Sequence, residues 1–137
     1  MCLFLSKVLR SGGWITVANP LSSHLWKLPC VRALQAAAEM SLYRIDMCAF
    51  GLQSPPMSEN REYWQKSTGL LASAPCFEKL QRVCRGLHAH SMLKGCLRVG
   101  GKSVSRSQLA AKFPSIFCAE YARVSRALAE GGEAAGP

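Results

Sequence analysis

The first strand-like apolar run of the chain is Trp14-Ile15-Thr16-Val17, aromatic and β-branched with Thr16 as its one polar member. Such a run predicts a strand buried on both faces, as in a parallel sheet. It ends at Asn19-Pro20, because proline has no N–H to give to a ladder. Before it, Leu3 to Leu9 predicts a short helix that exits through Ser11-Gly12-Gly13. After it, Ser22 or Ser23 caps a helical turn through Trp26, and Pro29 opens a second helix, about Cys30 to Met40, with Val31, Leu34 and Ala38 on one side. From Leu42 to Phe50 the pattern switches to alternation. Tyr43, Ile45, Met47 and Ala49 interleave with Arg44, Asp46 and Cys48, which predicts a strand with Asp46 and Cys48 on one face.

Gly51 to Lys66, with Pro55-Pro56, reads as a long loop, and Ser67 to Ser73 as a third short strand. Ser73 and Pro75 open a further helix with Phe77, Leu80 and Cys84 as its apolar side, closed by Gly86. Leu87 to Ser105 is irregular, with Gly95, Gly100 and Gly101 as turn points. A final helix starts near Ser105, breaks at Phe113-Pro114, and resumes with Phe117, Tyr121, Val124 and Leu128 as a core-facing stripe. The order strand, helix, strand, strand, helix, helix predicts an α/β domain of three-layer type. Its short, mostly parallel sheet has flanking helices and a C-terminal helix, and its first β-α-β unit is right-handed. The expected extent is one partial domain over residues 1–129 and a flexible tail over 130–137. In such folds, sites gather beyond the carboxyl ends of strands, here Asn19-Pro20 and Cys48 to Gly51.

Composition changes this picture little. Hydrophobic residues make up 49% and charged residues 18% of 137, a globular balance. Charge changes it more: seventeen Lys and Arg against eight Asp and Glu give +9, a field that attracts nucleic acid or another polyanion. The basic residues are densest between Lys79 and Arg106. Met1-Cys2-Leu3-Phe4-Leu5 is too short to span a bilayer and lacks the layout of a signal peptide, so no membrane is expected and the protein is read as intracellular. Seven cysteines at irregular spacing do not form a disulfide framework and are read as reduced thiols.

Thiols and imidazoles supply the first candidate chemistry. Cys84, His88 and His90 offer three zinc-type ligands within seven residues, and Cys48, at a strand end, is the preferred fourth among Cys48, Cys76, Cys96 and Cys118. The spacing is not that of a known finger, and histidines hydrogen-bonded beside a buried thiol are the plainer alternative. Asp46 and Cys48 resemble a base beside a nucleophile but have no histidine fixed nearby by sequence. Phosphate contacts are assigned to Asn19, Lys66, Thr68, Arg82, Arg85, Lys94 and Arg98, with His24 as a further approach point. Lys66-Ser67-Thr68 is not a P-loop, because the preceding glycines are missing.

The succession Gly12-Gly13-Trp14-Ile15-Thr16-Val17-Ala18-Asn19-Pro20, Asp46-Met47-Cys48-Ala49-Phe50-Gly51, Lys66-Ser67-Thr68, Cys84-Arg85-Gly86-Leu87-His88-Ala89-His90 and Phe113-Pro114-Ser115-Ile116-Phe117-Cys118 resembles a module of retrotransposon-type polyproteins. That module is similar to the C-terminal half of DNA cytosine-5 methyltransferase-like domains. The resemblance implies a strand ending in Glu-Asn-Pro whose Glu contacts the target base. Ala18 stands there, and a methyl group cannot exchange a proton. A Gly-rich turn for S-adenosylmethionine and a Pro-Cys nucleophile are also missing; Pro29-Cys30 falls after the strand. The leading expectation is therefore a truncated, non-catalytic remnant of a mobile-element methyltransferase-like domain with weak affinity for nucleic acid and no required cofactor. Its missing half would leave a sheet edge open to self-association. The alternatives are a zinc-stabilised nucleic-acid-binding module, and a marginally stable product with no specific function.

Overall fold

The structure is a computed structural model that describes residues 1–131. It opens with helix α1 (Cys2–Arg10), strand β1 (Thr16–Pro20), a 3₁₀ turn (His24–Lys27) and helix α2 (Pro29–Ala37). Strand β2 (Ser41–Asp46) runs into a 3₁₀ turn (Met47–Phe50), and β3 (Ser67–Ala72) into another (Pro75–Leu80). A hairpin of β4 (Cys96–Val99) and β5 (Lys102–Ser105) leads to the short helix α3 (Arg106–Leu109) and to α4 (Ser115–Ala129). Of the tail expected over 130–137, residues 132–137 lie outside the described residues.

The sheet corrects the expected fold class. Its order is β1-β3-β2, and β3 pairs antiparallel with both neighbours, Ala18 opposite Leu70 on one side and Tyr43 opposite Leu70 on the other. The second sheet, β4-β5, is antiparallel as well. The protein is therefore α+β, not α/β with a mostly parallel sheet. β1 and β2 do point the same way, but β3 lies between them and takes the hydrogen bonds of both. The physical reason is that an uninterrupted apolar run signals burial on both faces, which a central antiparallel strand shares with a parallel one. The strand so buried is β3, with Thr68 to Ala72 all buried, whereas the run Trp14 to Val17 that carried the expectation leads into edge strand β1, which has no buried residue.

Each face of β3 feeds its own core. Leu70 and Ala72 join Ile45, Met47, Phe50, Trp64, Phe77, Leu80, Phe117 and Val124, under α4. Leu71, on the other face, joins Ile15, Val31, Leu34 and Met40, under α1 and α2. The stripe of α4 packs through Phe117 against Phe50 at 5.3 Å, edge to face, and Tyr121 bonds Thr16 Oγ1 at 2.7 Å. Gly69 makes room: a Cβ there would stand 3.0 Å from the Trp26 indole, which closes over the sheet and donates Nε1–H to the Pro20 carbonyl at 2.9 Å. Trp14, expected in the strand, precedes β1 and is 42% exposed.

The predicted loop Gly51 to Lys66 hides the largest buried side chain. Trp64 is fully buried and donates Nε1–H to Glu62 Oε2 at 3.0 Å. Arg106 at the start of α3 grips the same carboxylate through two bonds of 2.8 Å and donates to the carbonyls of Lys94 and Cys96. That one guanidinium ties the loop, the β4–β5 hairpin and α3 together. Among the described residues no helix is long and apolar enough to cross a membrane.

Candidate metal centre

Two segments, the turn after β2 and the stretch from Cys84 to His90, bring four ligands to one point. Cys48 sits in the 3₁₀ turn that follows β2, where Gly51 ends the turn in the left-handed region at φ 86°. The predicted long strand thus stops at Asp46, and Asp46 and Cys48 do not share a strand face. Cys84 follows the Pro75–Leu80 turn, which replaces the helix expected to reach Cys84. The chain there is extended instead, and Arg82 forms a parallel bridge with Ile45 at the outer edge of β2. His88 and His90 come next on a segment held by Tyr63, whose carbonyl accepts the Ser91 N–H at 2.9 Å and whose ring stacks on His88 at 4.5 Å.

The ligand atoms of Cys48, Cys84, His88 and His90 all lie within 4.8 Å of one another. Cys84 Sγ is 3.7 Å from His88 Nε2 and 3.5 Å from His90 Nε2. A tetrahedral zinc with sulfur at ~2.3 Å and nitrogen at ~2.0–2.1 Å has edges of about 3.3 to 3.8 Å. The two edges from Cys84 to the histidines already have that length. The cluster can hold a metal ion. Its burial is graded, from Cys48 at 5% exposure through half-buried Cys84 and His88 to exposed His90.

Asp46 supports the centre from behind. Its fully buried carboxylate accepts the Cys84 N–H at 2.8 Å, the Ser67 hydroxyl at 2.6 Å and the Arg44 guanidinium at 3.2 Å. Burial pushes its pKa up, but these three donors outweigh burial and hold it below the usual carboxylate range. Gly86 N–H points at Cys84 Sγ at 3.4 Å, a donor suited to a thiolate. Cys48 is the opposite case. Burial, then the Cys84 thiol and the Asp46 charge, push its thiol up to about 12, so a bound cation would supply the charge that its thiolate lacks.

Two clefts flank the centre. One, of about 770 Å³, is lined by Cys48, Cys84 and His88 together with Arg82 and Arg85. The other, of about 350 Å³, runs past His90 to Lys94. Both arginines and Lys94 are exposed, and Arg82 also lies 4.1 Å above the Phe50 ring. The remaining predicted phosphate contacts are elsewhere. Thr68 is 3% exposed inside β3, with its hydroxyl unpartnered among the described residues. Lys66 is half-buried, its pKa lowered by burial, and donates to the Ala110 carbonyl at 3.0 Å beside the Phe113 ring. Asn19 is in edge strand β1, and Arg98 is on the hairpin, turned to the Gly101 carbonyl.

Sequence reasoning missed Tyr63, Asp46 in its supporting role, and Gly86 as a donor to sulfur. Only Asp46, two residues before a candidate ligand, carried a visible signal. Comparison with protein-family models, curated proteins and solved structures gives no match to this chain.

Proposed function

We propose that the protein is a zinc-clamped nucleic-acid-binding module, in which Cys48, Cys84, His88 and His90 hold one zinc ion and Arg82, Arg85 and Lys94 meet phosphates on either side of it. The convergence of two thiols and two imidazoles from two segments, all within 4.8 Å and with both Cys84-to-histidine edges at tetrahedral length, carries this reading. Neutral hydrogen bonding explains it less well. It would gather the two imidazole nitrogens and the Gly86 N–H on one thiol sulfur, which is a weak donor and a weak acceptor. Four protein ligands complete a tetrahedron and leave no position for substrate, so the metal's role is structural: it fixes the Arg82–Lys94 segment, which is poor in regular structure.

The net charge of +9 and the placement of three exposed cations beside the centre favour a polyanionic partner. The resemblance of the motif order to a mobile-element module favours nucleic acid among polyanions. Methyl transfer is not part of the proposal, since Ala18 has no proton to exchange.

The test is binding of fluorescent single- and double-stranded DNA and RNA as a function of salt, with and without a chelator. Three phosphate contacts give a slope of log K against log salt of about −2 to −3, and each of R82A, R85A and K94A lowers its magnitude by about 1. Chelation releases one zinc per chain and weakens binding at least tenfold. A flat salt dependence, or binding indifferent to the chelator, would overturn the reading.

A further inference from the structure

A second thiol pair lies on the other side of the sheet. Cys2 is the first residue of α1 and Cys30 the second residue of α2. Twenty-eight positions apart in sequence, their Sγ atoms stand 3.1 Å from each other, about 1 Å outside the ~2.05 Å of a disulfide bond. Cys2 is half-buried and Cys30 exposed, so a small oxidant reaches the pair.

The helix that Cys2 begins is weakly held. α1 has nine residues and none fully buried, and a helix so short is marginal without tertiary contacts. Its inner face, Cys2, Leu5, Val8 and Leu9, covers the cluster of Ile15, Val31, Leu34, Met40 and Leu71, while Leu3 and Phe4 face solvent, 69% and 67% exposed. If α1 lifts, that second core opens on one side.

We propose that Cys2 and Cys30 are a redox-sensitive clip: their disulfide locks α1 onto α2, and its reduction lets α1 open. The oxidant is a low-molecular-weight disulfide of the glutathione type. One cysteine thiolate attacks a sulfur of that disulfide, forming a mixed disulfide and releasing one small thiol. The second cysteine then attacks the protein-bound sulfur, closing the Cys2–Cys30 bond and releasing the other small thiol. Two electrons pass from the cysteine pair to the small disulfide, and the two cysteine protons end on the two released thiols. Neither residue belongs to the metal cluster, and the clip does not rest on the proposed function.

The experiment uses the full chain, equilibrated in buffers of reduced and oxidised glutathione. After alkylation and tryptic digestion, the oxidised sample yields peptides 1–7 and 28–32 joined by one disulfide. On the native protein, cleavage after Arg10 is at least about tenfold slower in the oxidised than in the reduced form, and C30S and C2S cleave at the reduced rate under both conditions. Separate glutathione adducts on Cys2 and Cys30, either residue joined to a different cysteine, or a joined pair that cleaves as fast as the reduced chain would each overturn the proposal.

Discussion

Asp46 is the residue where sheet and ligand loop meet, since one buried carboxylate holds the Cys84 N–H, the Ser67 hydroxyl and Arg44 at once. In D46A those donors lose a charged acceptor in a buried place. The expected loss is about 2–4 kcal/mol of stability, by urea unfolding, and about 10- to 100-fold in zinc affinity, by competition with a chromophoric chelator. D46N, with one oxygen left to accept, falls between. Glu62 supplies a pH signature of a different kind. The Arg106 guanidinium, and after it the Trp64 N–H, hold its carboxyl below the usual range despite burial. A folded pKa below the unfolded one gives stability that is present above about pH 4.3 and lost as pH falls through the folded pKa. Unfolding titrations between pH 7 and 3 should therefore show a decline at the acid end that is shallower in E62Q. An equally steep decline in E62Q would exclude Glu62 as its source.

At the scale of elements, β3 organises the fold, and Gly69 decides how Trp26 lies on it. The isopropyl group added in G69V already has its Cβ 3.0 Å from the indole and 3.1 Å from the end of Leu42, so the variant should lose about 1–3 kcal/mol and shift the tryptophan emission. Unchanged emission and stability would mean that Trp26 does not close over Gly69. The legibility of these elements followed the length and regularity of their patterns. The α4 stripe, the third strand and the Pro29 entry to α2 were readable because each repeats one period or carries one stop signal. Strand pairing was not, because direction and order depend on which edges meet in space and leave no mark in a single strand's pattern. The helix expected after Ser73 failed for a local reason. Ser73 gives its hydroxyl to the Ile15 N–H and carbonyl instead of capping, and the chain beyond Leu80 is drawn out along β2 through the Asp46 N–H to Arg82 carbonyl bond.

At the scale of the whole molecule, two cores on opposite faces of one small sheet meet a ligand cluster at the end of β2. The four ligands could be named from sequence, because thiol and imidazole are few and Cys84, His88 and His90 are close neighbours. Their support could not: Tyr63 comes from a loop with no periodicity, and Thr68 and Lys66 looked available to phosphate until the sheet and Ala110 enclosed them. X-ray absorption of the zinc-loaded protein at the zinc edge tests the central claim most directly. The account predicts one zinc per chain with two sulfur neighbours at about 2.3 Å and two imidazole nitrogens at about 2.0–2.1 Å. Sub-stoichiometric zinc, or a shell of oxygen neighbours without sulfur, would contradict it.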